Sequence, residues 1–83
     1  VQVTLPQFEM IDSLMAQLLR MGEFETCADP RAYIRTSNRL FDACVDAVGY
    51  DYANDFASAL ECAADIVARA LLGTITVLDD VEA

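Results

Sequence analysis

The chain has 83 residues, a formal net charge of −9 and 55% hydrophobic residues, which describes one small domain too apolar to be a disordered acidic tail. Fourteen acids face five basic residues, all of them arginine, with no lysine and no histidine. This excludes the clustered cations that binding to nucleic acid or an anionic membrane requires. It also removes the commonest general base and the Schiff-base amine, so no enzyme activity and no cofactor are expected.

The first residues, Val1 to Leu5, alternate and are β-branched, the pattern of a short strand. A helix over about 6–21 follows, with Thr4 as its cap, Pro6 in its first turn and Gly22 as its stop. Phe8, Ile11, Met15 and Leu18, with Leu14 and Leu19 beside them, have the spacing of one buried face. Asp12–Ser13–Leu14 within it matches the triplet that carries phosphopantetheine in acyl carrier proteins, which are also small acidic helical domains. That family sets the serine at the start of its second helix, after a glycine-containing loop. Ser13 falls inside a helix already begun near Pro6, so it reads as an ordinary helical serine.

Asp29–Pro30 opens a second helix, over about 30–48, which Gly49 ends. Its apolar face takes Tyr33, Ile34, Leu40, Phe41, Cys44 and Val48, with Ser37 among them. Arg31, Arg35 and Arg39 repeat every four residues and share one stripe, which Asp42 and Asp46 continue. This order opposes the helix dipole, and it points to pairing of the arginines with acids of other helices or of a second copy. An antiparallel copy would bring each basic half against an acidic half, the self-complementarity that a two-fold interface needs. These five residues are the candidates for self-association, and a homodimer is expected.

A third helix is expected over about 53–72, ending at Gly73, with Ala53, Ala57, Leu60, Ala64, Val67 and Leu71 along its buried line. Phe56, Ala63, Ile66 and Ala70 widen that line. Asp51, Asp55 and Asp65, flanked by Glu61, are read as an acidic stripe on the opposite face, with Arg69 placed to pair with Asp65. Asp51 to Asp55 resembles part of a calcium loop but has neither its central glycine nor its closing glutamate. Tyr50 and Tyr52 bracket Asp51 at the corner, either as lids on the core or as contact aromatics, and Phe24 between Glu23 and Glu25 poses the same question. Thr74 to Leu78 repeats the strand pattern and can pair with the first residues or add to a strand of another chain, the alternative being extended ends with a few apolar anchors, and Asp79, Asp80 and Glu82 read as an acidic tail.

Cys27, Cys44 and Cys62 are odd in number and widely spaced, a poor disulfide framework and, with no histidine, a poor metal site. With no signal-peptide pattern and no long apolar run, a reducing cytoplasm is the expected setting, that of a host if the protein is viral. The sequence thus predicts an all-α, single-domain three-helix bundle with short extended or β termini. Its function is expected to be protein binding, through partner-facing candidates Asp51, Asp55, Glu61, Asp65, Tyr50 and Tyr52 that suit a basic partner. In size and charge it is similar to the anti-CRISPR proteins, phage-type inhibitors of nucleic-acid-guided nucleases, and its carboxylates would mimic nucleic-acid phosphates. The alternative expectation is a structural or assembly protein that works by homo-oligomerisation through its second helix.

Overall fold

A computed structural model describes residues 1–79 of the chain, so the expectation that Asp80 and Glu82 form an acidic tail lies outside the described residues. The chain is mostly helical. Strand β1 (Gln2–Thr4) runs directly into helix α1 (Leu5–Met21), and α2 (Pro30–Val48), the short α3 (Tyr50–Asn54), α4 (Ala59–Leu72) and strand β2 (Thr76–Leu78) follow.

The start of α1 is fixed by a reciprocal cap. The Thr4 hydroxyl accepts the Gln7 N–H at 3.2 Å, and the Gln7 carbonyl oxygen Oε1 accepts the Thr4 N–H at 2.8 Å. Two N–H groups with no partner inside the helix are thereby satisfied. The Gln7 side-chain amide also donates to the backbone oxygen of Asp46 at 3.3 Å and to its carboxylate at 3.1 Å. One side chain therefore ties the start of α1 to the end of α2, which run antiparallel. Asp29 caps α2 by accepting the Ala32 N–H at 3.1 Å, with Pro30 in the first helical position, where its missing N–H costs nothing.

The two ends of the chain pair with each other. β1 and β2 lie parallel, with Gln2 opposite Thr76, Val3 opposite Val77 and Thr4 opposite Leu78. A parallel pair needs a long crossover, and here the whole helical body supplies it. Val3, 1% exposed, and Ile75, 2% exposed, turn into the core from this end. Ile11, Leu14 and Leu18 of α1, Leu40 and Cys44 of α2, and Cys62, Ala63 and Ile66 of α4 fill the remainder. Each large side chain so buried contributes about 1.5–3 kcal/mol of transfer free energy.

The expected third helix over 53–72 is instead two helices with a break between them. The reason is topological. α4 begins beside the end of α1 and the start of α2, since Leu60, Leu19 and Tyr33 line one groove, and it ends beside the β1–β2 pair. It therefore runs parallel to α2, and residues 49–58 must travel back along α2 before it can start. α3 is part of that return, with Tyr50 packed edge-on against Phe41 of α2, ring centroids 6.2 Å apart. Ser58, in an extended conformation, then caps α4 by accepting the Glu61 N–H at 3.2 Å, and Glu61 Oε1 accepts the Ala57 N–H at 3.3 Å.

The restart shifts the expected alanine seam, of which Ala53, Ala63 and Ile66 are buried as expected while other members are not. Ala57, Ala64 and Leu71 are exposed, whereas Ala59, Cys62, Ala63 and Ile66 are buried. Leu19 and Ile34, placed by spacing on buried faces, are 61% and 48% exposed. Both sit at the flank of an apolar stripe wider than the surface available to cover it.

Candidate functional site

The corner between α3 and α4 gathers most of the partner-binding candidates, in an arrangement that a single helix would not give. Asp51 lies on α3, Asp55 caps its end, and Glu61 and Asp65 lie on α4. The acidic stripe along one helix face is therefore corrected to two separate groups, because the break at 55–58 interrupts the spacing on which it depended. Asp51, Asp55 and Glu61 are exposed.

Asp65 is already engaged. The Tyr52 hydroxyl donates to its Oδ2 at 2.6 Å, and the Arg69 Nε donates to the same oxygen at 2.9 Å. This i, i+4 ion pair is the only one among the described residues. The Tyr52 hydrogen bond, and then Arg69, hold the Asp65 carboxyl below its ordinary range. Burial first and that same bond second push the Tyr52 hydroxyl up to about 12, since ionising it would bring a second negative charge against the carboxylate. Tyr52 and Phe56 stack at a tilt with centroids 6.0 Å apart, and a small hollow of about 160 Å³ lies among Tyr52, Asp55, Phe56, Asp65 and Arg69.

The two tyrosines thus divide. Tyr52 is a half-buried lid tied to α4, while Tyr50 leaves 58% of its surface in solvent beside Asp51. Phe24, 44% exposed, rests edge-on against Tyr33 with centroids 5.7 Å apart.

Arg31, Arg35 and Arg39 all stand in solvent on α2, on the side opposite the buried Leu40. None pairs with an acid among the described residues, which corrects the expected pairing with other helices of the same chain. At the other end of α2 the antiparallel contact with α1 brings Gln7, not an arginine, against Asp46. Asp42 is exposed like the arginines. Asp46, although it lies on their stripe, is held by Gln7.

Cys44 and Cys62 meet in the core, both fully buried. Burial, followed by the neighbouring Cys62, pushes the Cys44 thiol up to about 12, and burial also raises Cys62. Neither is the low-pKa thiolate of a reactive cysteine. No three Asp, Glu or Cys side chains converge as a cation site among the described residues, and no described helix is long and apolar enough to cross a membrane.

Sequence reasoning missed two sets of residues. Gln7 was legible, since Thr-x-x-Gln before an apolar run signals a reciprocal cap, although its bond to Asp46 was not. Phe24 was singled out between two glutamates, but the exposed Leu19 and the partly buried Leu60 beside it carried no signal, because their helical spacing is equally that of a core. Compared with known proteins, the chain matches no family model, and no curated protein or solved structure is significantly similar to it.

Proposed function

We propose that the chain is a small protein-interaction module whose acidic surface engages a basic partner protein and blocks or modulates it. Such a module acts as an inhibitor of a nucleic-acid-binding system in the cytoplasm, that of a host if the protein is viral, by presenting carboxylates where the partner expects phosphates. The observation that carries this reading is uncompensated charge. Fourteen acids face five arginines, and among the described residues a single ion pair forms. The exposed Asp51 and Asp55, beside the solvent-facing ring of Tyr50, are the leading contact residues. Asp65 is set aside as a partner contact because Tyr52 and Arg69 already occupy it.

The test is capture of a partner from a native cell extract, with nuclease added to remove bridging nucleic acid. Binding should weaken steeply as salt rises, since exposed charges are screened within about 8–10 Å at physiological ionic strength. Asp51→Lys with Asp55→Lys should slow association and flatten the salt dependence. A salt-insensitive complex indifferent to both changes would sink the mimicry reading.

A second reading is favoured by one specific observation. Arg31, Arg35 and Arg39 form an exposed basic stripe with no acid of their own chain paired to it among the described residues. An antiparallel second copy of α2 would supply Asp42 and Asp46, making self-assembly the function. Arg35→Glu with Arg39→Glu should then split the oligomer in sedimentation, and an unchanged profile would exclude that interface.

A further inference from the structure

Where the end of α1, residues 22–29 and the start of α4 meet, the surface is hollowed into an open groove of about 780 Å³. Leu19, Phe24, Tyr33 and Leu60 give it an apolar lining. Leu19 follows the fully buried Leu18 yet faces solvent, and Phe24 is propped against Tyr33 rather than folded into the core. Scattered exposed apolar side chains are ordinary, but a contiguous set lining a concavity marks a contact surface. Glu23, Glu25 and Glu61, with Gly22 and Ser58, complete the lining, and no basic residue takes part in it. Glu61 lies in the first turn of α4, where its charge offsets the positive end of the dipole, and it accepts the Ala57 N–H. The side-chain carboxylates of Glu23 and Glu25 accept no hydrogen bond from any described residue and stand in solvent.

An apolar floor whose only charged neighbours are acids selects its occupant by charge. A neutral apolar segment would leave the Glu23 and Glu25 carboxylates to be desolvated without partners, and an acidic one would be repelled. We propose that this groove docks a basic amphipathic segment of a partner protein. One bulky apolar side chain sits on Leu19, Phe24 and Leu60, and flanking lysines or arginines meet Glu23, Glu25 and Glu61. The proposal rests on the reading of the chain as an acidic interaction module, and it supplies the apolar anchor which that reading lacks. Aromatic and apolar anchors within a charged rim are where interface energy concentrates. Charge on the rim then governs association rate, and the floor governs release.

The probe is a short helical peptide carrying leucines on one face and arginines on the others, compared with a control of equal charge whose leucines are replaced by serine. Binding to the 83-residue chain is measured by fluorescence anisotropy over a range of salt. The leucine peptide should bind roughly tenfold or more tightly than the control, the ratio that burial of one such side chain supports. Leu19→Ser, at a site exposed enough to leave folding intact, should erase most of that preference. Glu23→Gln with Glu25→Gln should weaken both peptides and flatten the salt dependence. Equal binding of the two peptides, unaffected by Leu19→Ser, overturns the groove and leaves the acidic-surface reading standing. If neither peptide binds at low salt, both readings are overturned. A dimer that forms without peptide and is lost in Leu19→Ser shows that a second copy fills the groove, which also overturns the proposal.

Discussion

Replacing Tyr52 with phenylalanine removes one oxygen, the hydroxyl that donates to Asp65 at 2.6 Å, and leaves the ring free to stay against Phe56. A hydrogen bond to a charged acceptor contributes about 1.5–3 kcal/mol. The Asp65 side chain is 24% exposed and keeps Arg69 on the same oxygen, so the lower end applies and the loss should be about 1.5 kcal/mol. With a urea slope of about 1 kcal/mol/M for a domain of this size, the unfolding midpoint should fall by about 1–1.5 M. A second readout is the acid limb of stability. Asp65 has a folded value below its ordinary 3.8, so the stability it contributes is present above that pH and is lost as pH falls through the folded value. Because the Tyr52 bond is the main cause of that lowering, Tyr52→Phe should flatten the acid limb as well. Asp65→Asn should show non-additivity with Tyr52→Phe in a double-mutant cycle. An unchanged midpoint with an unchanged acid limb would refute the claim that this bond holds α3 against α4.

Gln7→Ala removes the side-chain half of the reciprocal cap and both bonds to Asp46, and should cost about 1–2 kcal/mol in urea unfolding. Gln7→Glu should cost more, because it sets a carboxylate against Asp46 where a donor stood. Stability should also decline in alkali. Cys44 and Tyr52 rise from 9.0 and 10.0 to about 12 on folding, so their contribution is intact below about pH 9 and is lost as pH climbs toward 12; Cys44→Ala with Tyr52→Phe should flatten that decline in pH-dependent thermal melts. In the native state a thiol reagent should label Cys27, which is partly exposed, ahead of the buried Cys44 and Cys62, whose labelling should track unfolding. Gly49 has φ 92° and ψ 159°, a region essentially restricted to glycine, so Gly49→Ala should cost about 2 kcal/mol or more. Gly73, at φ 86° and ψ 4°, is in the left-handed helical region, and its alanine variant should lose only about 1–2 kcal/mol.

The local marks in the sequence determined where the first two long helices begin and end. Thr4, Asp29–Pro30, Gly22 and Gly49 act on backbone groups within about four residues, so no knowledge of the rest of the chain is needed to place them. Ser58-x-x-Glu61 is a mark of the same kind. It announces a fresh helix start, and the apolar spacing running through 53–72 concealed it. The alternating ends likewise carried their strand preference openly, and the charge imbalance could be counted before any fold was known.

Tertiary structure decided what depends on distant neighbours. Only the direction of α4 relative to α2 explains why residues 49–58 must return along the bundle, and only that return brings the Tyr52 hydroxyl to Asp65. Helical periodicity gives the angle at which Leu19 or Ile34 projects, but whether another element covers that angle is a property of the packed whole. The same holds for the arginine stripe on α2, whose spacing was visible from the start. That no acid of its own chain pairs with it among the described residues emerged only when the helices were docked, because ion pairing requires two side chains within about 4 Å across elements far apart in sequence.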